Sequence, residues 1–115
     1  MSVQQDYVVQ QGTSGIWTYR KWNSGIAECW GYTMISVLCS NQSGTMYLSD
    51  IKSVALPTGL FAVNPIPNVN CTDIWSWVGM INTSTTSVTV KICRGSNYSQ
   101  TYNTGLYLSV KGRWK

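Results

Sequence analysis

The sequence predicts an all-β antiparallel domain, a sandwich or a small barrel, and three observations predict it. No helical period of apolar residues occurs anywhere along the 115 residues. Short runs rich in β-formers recur at roughly ten-residue spacing, bounded by Asn, Ser, Gly and Pro. The composition is that of a sheet protein: Trp and Tyr number six and seven. Ser, Thr, Asn and Gln together make up 40 residues, while charged residues are only 10%, against about 25% in an ordinary domain. A disordered tail would hold fewer aromatics and more charge, and a coiled coil would be rich in Ala, Glu, Lys and Leu. The length suits one domain. Residues 1–15 are expected to be a lead-in or a connection to an upstream region or partner, and residues 16–115 the domain itself.

Within 1–15 the chain is polar and carries Gly12 and Gly15, as a lead-in strand or connector would. Residues 16–22, Ile-Trp-Thr-Tyr-Arg-Lys-Trp, are strand-like, and Asn23-Ser24-Gly25 is turn chemistry with Gly available for positive φ. A β-favouring run follows over 26–40. A three-residue loop sets Trp22 opposite Ile26, Arg20 opposite Glu28 and Trp17 opposite Gly31. Alternation then puts Thr18, Arg20, Trp22, Ile26, Glu28 and Trp30 on one face. Trp17, Tyr19 and Lys21 face Ala27, Cys29 and Gly31 on the other, large rings against small residues. An Arg20–Glu28 ion pair would add roughly 0–1 kcal/mol, and Arg20 or Lys21 over an indole roughly 0.5–1 kcal/mol. Trp17, Tyr19, Arg20, Trp22, Glu28 and Trp30 are accordingly expected to be structural.

Beyond the hairpin, Asn41-Gln42-Ser43-Gly44 is expected as a turn, and 45–56 as a strand pair or one bent strand. Residues 57–68 hold all three prolines and read as a crossover, because Pro65-Ile66-Pro67 cannot sit in a central strand. Short strands are expected over 69–71 and 74–81, with a loop at 82–86. Residues 87–93 alternate, with Val88, Val90 and Ile92 inward. Residues 95–103 read as a polar loop, and 105–111 as a last strand with Leu106, Leu108 and Val110 on one face.

Charge and special residues narrow the function. The net charge is +4 with a pI near 9.0. The basic residues are scattered, clustering only at Arg20-Lys21 and in the last five residues, too few for a nucleic-acid stripe. The N-terminus lacks a basic n-region and an apolar h-region, and no apolar run approaches the roughly 18 residues that span a membrane. Synthesis in a cytosol without membrane insertion is expected, with Cys29, Cys39, Cys71 and Cys93 reduced and buried as small hydrophobes. Without a CxxC pair zinc is not expected, nor is any cofactor. With no His in the chain, imidazole catalysis and imidazole metal ligation are excluded. The four acids, Asp6, Glu28, Asp50 and Asp73, show no spacing that pairs two of them, as a glycosidase requires. A non-enzymatic, binding role is expected.

Tyr and Trp give broad contact at low entropy cost, and Ser, Gly and Asn give adaptable hydrogen bonds. The segment 97–103 concentrates both kinds, so Asn97, Tyr98, Gln100, Tyr102 and Asn103 are the candidate ligand contacts. The competing reading packs these tyrosines on their own subunit or on its neighbour. Trp75 and Trp77 stand at i and i+2 on one strand face, with Ile81 further along it, as a sugar platform or, preferably, an interface wall. Thirteen Trp and Tyr exceed what one thin core readily absorbs, so some are expected at a homotrimer axis.

Three segments carry a resemblance to a known family. Gly15-Ile16-Trp17-Thr18-Tyr19-Arg20-Lys21-Trp22-Asn23-Ser24-Gly25, followed by Ile26-Ala27-Glu28-Cys29-Trp30-Gly31, resembles a segment in C-terminal domains of bacteriophage tail-fibre and baseplate structural proteins, typical of prophages of Gram-positive gut bacteria. Lys111-Gly112-Arg113-Trp114-Lys115 is similar to their Gly-Arg-Trp-Lys terminus. Leu56-Pro57, Phe61, Pro65 and Pro67-Asn68-Val69 resemble their proline crossover. These domains resemble in turn the trimeric sandwiches of tail fibres and H-type lectins. The resemblance implies a compact antiparallel sandwich, homotrimerisation and a place at the tip of a virion tail fibre or baseplate. It also implies attachment to a host-surface glycan or polymer and an upstream fibre or baseplate protein as neighbour, and it does not imply an enzymatic activity.

Overall fold

Two antiparallel sheets face each other across one apolar core. The computed structural model describes residues 5–96 and 100–115, and no helix occurs among them. The strands are β1 (Val8–Ser14), β2 (Trp17–Trp22), β3 (Ile26–Val37), β4 (Asn41–Ser43) and β5 (Met46–Leu48). They continue with β6 (Lys52–Ala55), β7 (Ile66–Cys71), β8 (Ser76–Thr83), β9 (Ser87–Arg94) and β10 (Tyr102–Arg113). The first sheet has the order β1-β2-β3-β10-β7. In the second, β9 is central, with β8 along one edge and both β5 and β6 along the other. The all-β sandwich expected from the sequence is the fold found.

The hairpin forms in the expected register: Trp17 pairs with Gly31, Arg20 with Glu28 and Lys21 with Ala27. Gly25 takes φ 102° in its turn, a conformation L side chains rarely adopt. The two charged residues do not turn to each other. The Arg20 guanidinium lies 5.0 Å from the Trp30 ring centroid, and the Glu28 carboxylate accepts the Trp22 indole N–H at 3.2 Å. The opposite face is interior. Trp17, Ala27 and Cys29 join Val88, Val90 and Ile92 of β9 and Leu106, Leu108 and Val110 of β10 in a single buried cluster. The Trp17 indole N–H reaches the Ala55 carbonyl at 2.7 Å, a bond from the first sheet to the second.

Elsewhere the boundaries move for local reasons. Residues 8–14 of the lead-in form β1, the edge strand beside β2. Asn41, Gln42 and Ser43, read as a turn, form β4, and the reversal falls at Gly44. The stretch 45–56 divides into β5 and β6 at Ser49. That buried residue donates its N–H to the Ile92 carbonyl at 2.8 Å, and its hydroxyl accepts the Ile92 N–H at 2.9 Å. Pro67 does lie in a strand, but β7 is an edge strand, where a missing N–H costs no ladder bond. The segment expected as a loop to residue 103 is already strand from Tyr102.

The body is long: its principal extents are 61 × 26 × 22 Å and its radius of gyration 16.7 Å, against about 13 Å for an ordinary domain of this length. Twelve-residue strands of about 40 Å, β3 and β10, fit only along the long axis. One end is a clasp of chain segments. Asp6 accepts the Ser24 N–H at 3.0 Å and the Ser24 hydroxyl, and Trp114 donates its N–H to the Gly25 carbonyl at 2.9 Å and its indole N–H to Trp22 at 2.8 Å. Ala62 donates its N–H to Arg113 at 2.8 Å, and Phe61 and Pro65 crowd Gly112. The hairpin, the proline crossover and the Gly-Arg-Trp-Lys terminus, singled out separately in the sequence, thus meet in one corner.

Candidate binding site at the tip

At the far end of β3 and β10 lie the 72–75 turn, residues 95–96 and 100–101, and the β4–β5 reversal. Asp73 shapes the turn: its carboxylate accepts the Trp75 N–H and the Ser76 hydroxyl, the latter at 3.2 Å, a side chain standing in for a backbone turn. Thr72 donates its N–H to the Gly105 carbonyl at 2.9 Å, fixing the turn to β10. The result is projection: Ile74 is 90% exposed and Trp75 63%, a placement that burial of apolar side chains does not explain.

One member of each residue set named from the sequence, Tyr102 and Trp75, lies against the same turn through Ser76 and Asp73. Tyr102 turns inward. Its hydroxyl lies 2.6 Å from the Ser76 hydroxyl and 3.4 Å from the Cys39 sulfur, and the Arg94 guanidinium lies 5.0 Å from its ring centroid. Burial and the Cys39 hydrogen bond raise its phenol above the ordinary range. In this position it braces the tip. Gln100 is exposed beside it. Asn103 is exposed on the outward side of β10, opposite Ser36. Asn97 and Tyr98 lie outside the described residues.

Trp75, Trp77 and Ile81 do not share one strand face. β8 begins only at Ser76, so Trp75 belongs to the turn. The register shifts between Val78 and Met80, a bulge at Gly79, which reverses the alternation. Trp77 pairs with Cys93, whereas Ile81 pairs with the interior Val90. What the sequence reading missed is the set holding the tip together: Asp73, Ser76 and Arg94. An Asp three residues before a Ser was a readable turn signal; the cross-strand partners Arg94 and Tyr102 were not.

The four carboxylates sit in separate settings. Asp6 is in the clasp, where the Ser24 hydroxyl bond holds its carboxyl below the ordinary value. Glu28 takes the Trp22 indole, Asp50 accepts from the Asn41 amide at 3.4 Å, and Asp73 shapes the tip turn. All four cysteines are free thiols, with Cys29, Cys39 and Cys93 buried. Among the described residues no group of three His, Cys, Asp or Glu could hold a metal ion.

No family model and no curated protein sequence matches this chain. The fold does have solved counterparts. An N-truncated R1-type pyocin tail fibre superimposes with a TM-score of 0.55 at 14% identity, over 95% of this chain and 86% of the other. At the level of fold, the chain is tail-fibre-like. A longer C-terminal piece of the R1 pyocin fibre of P. aeruginosa matches with a TM-score of 0.52 at 13% identity, and this chain spans 28% of it. The tail-fibre-like body carries the clasp at one end and the aromatic turn at the other.

Proposed function

We propose that the chain is a receptor-binding module of a phage-type tail fibre, a homotrimer that attaches to host cell-surface glycans or polymers and catalyses nothing. One observation carries this reading: Ile74 and Trp75 stand exposed on the turn that Ser76 ties to Tyr102, with Gln100 exposed two residues before Tyr102, at the end farthest from the clasp. Apolar faces for sugar rings and amides for their hydroxyls are what such a ligand asks for. The sequence resemblance to prophage tail-fibre and baseplate domains supports the same role, and the tail-fibre-like fold agrees with it. An upstream fibre or baseplate protein would join at the clasp end, leaving the tip outward on the virion. The test is sedimentation with host cells. Trp75→Ala combined with Gln100→Ala should abolish co-sedimentation at unchanged oligomer mass, and undiminished binding would overturn the proposal. A second reading, a structural trimerisation cap, draws on the same exposed Trp75 and Trp77. It requires Trp77→Ala to lower the oligomer mass by light scattering and leave cell binding to another protein.

A further inference from the structure

The outward face of the first sheet runs from the clasp up to the tip turn, and it is not an ordinary polar surface. Register and alternation set Trp30, Tyr32, Met34 and Ser36 of β3 beside Ser109, Tyr107, Gly105 and Asn103 of β10, with Asn68 and Asn70 of β7 next in line. Tyr32 is 44% exposed, Met34 58% and Tyr107 60%. The two tyrosine rings are neighbours, with centroids 5.3 Å apart and planes inclined by 50°, so they form a shallow trough.

Gly105 gives the trough its shape. A Cβ there would meet the Tyr32 hydroxyl oxygen and the Thr72 Oγ1 each at 2.6 Å, and Tyr32 Cε2 at 2.8 Å, so the phenol and the Thr72 hydroxyl share the space a side chain would take. The ring leans low across β10. Along one flank, Asn70 pairs with Tyr107 and Asn68 with Ser109, and the Asn70 amide donates to Asn68 at 3.3 Å. From Tyr32 to Asn103 the face is uncharged. At its clasp end the Arg20 guanidinium lies over the Trp30 ring, and Glu28 and Lys111 lie one pair further on.

We propose that this face is a second binding site, for a run of linear, neutral polysaccharide lying along the strands. The inference rests on the glycan-binding reading only for the chemistry of its ligand and uses none of the tip residues. A pyranose with equatorial substituents presents a flat patch of C–H groups that matches an exposed ring, while its hydroxyls need amide and hydroxyl partners at the rim. From Trp30 to Ser36 the face runs about 20 Å, room for several sugar rings in a row. The absence of charge matches a neutral chain and disfavours a polyanion. A second copy is a poorer occupant. Asn68, Asn70, Asn103, Ser36 and Ser109 interrupt the exposed apolar side chains, whereas the centre of an interface between copies is more continuously apolar.

The test is native gel retardation in hydroxyethylcellulose, with chitohexaose titrated against intrinsic fluorescence as a second probe. Wild-type protein is retarded by the first or responds to the second. Tyr32→Ala with Tyr107→Ala loses at least tenfold in affinity, and Tyr32→Phe with Tyr107→Phe keeps binding. Trp75→Ala with Gln100→Ala leaves this binding unchanged. If that tip pair loses no cell binding while retardation still depends on Tyr32 and Tyr107, the tip reading fails and this one stands. No binding of wild type to either probe, wild-type affinity in the alanine pair, or a lowered oligomer mass in that pair would each overturn the proposal, the last by making the face a contact between copies.

Discussion

Trp17 shows at the scale of one residue how the two sheets are joined. It is 3% exposed and its indole N–H is bound to the Ala55 carbonyl. Trp17→Ala should cost about 3–5 kcal/mol, a large share of a small domain's stability. Trp17→Phe, which keeps a ring and loses one hydrogen bond, should cost about 1–2 kcal/mol, both read as shifts of the urea midpoint. The sequence named Trp17 and its small opposite residue because hairpin pairing is local. It could not name Ala55, 38 residues away, since that contact depends on how the sheets stack. The thiols give a second prediction. Burial pushes the Cys29 thiol from an ordinary 9.0 up to about 12, and Cys71 and Cys93 move the same way by desolvation. The native protein therefore keeps protons that the unfolded chain releases, and stability falls where the unfolded state binds fewer protons. Stability is full below about pH 9 and declines as pH rises from there through about 12. A pH series of urea midpoints should show that decline, and Cys29→Ala should flatten part of it.

Among the elements, the clasp gives the Gly-Arg-Trp-Lys terminus a structural task. Trp114 is half-buried, with the Lys21 and Lys115 ammonium groups 5.3 and 4.9 Å from its ring centroid. Trp114→Ala should cost about 2 kcal/mol. Hydrogen exchange at the amides of Asn23 and Gly25 should quicken while exchange in β9 changes little, because the damage is confined to one end. Strand identity was legible wherever alternation was unbroken, as in Val88, Val90 and Ile92. It failed where one residue resets the phase. The bulge at Gly79 puts Trp77 and Ile81 on different sides of β8, and no local signal distinguishes that glycine from one inside a regular strand. At the tip the aromatic and amide content was legible from composition. The inward turn of Tyr102 was not, because its partners Ser76, Cys39 and Arg94 come from three separate segments.

At the scale of the whole molecule, the number of copies decides how the tip is presented. The proposed homotrimer predicts three times the 12.8 kDa chain mass by light scattering at micromolar concentration; a single-chain mass would remove the trimer from the functional reading. The sandwich class could be read from turn spacing and alternation. The elongation could not, because it follows from the full pairing of β3 with β10, a contact between segments far apart in sequence. That pairing also bears on mechanical load. With the clasp at one end and the aromatic turn at the other, a pull between them runs along the strands. Twelve residue pairs join β3 to β10, and their hydrogen bonds lie across the pull, so they resist together in shear instead of opening one at a time. Tension applied from clasp to tip would meet the structure in its stiffest direction.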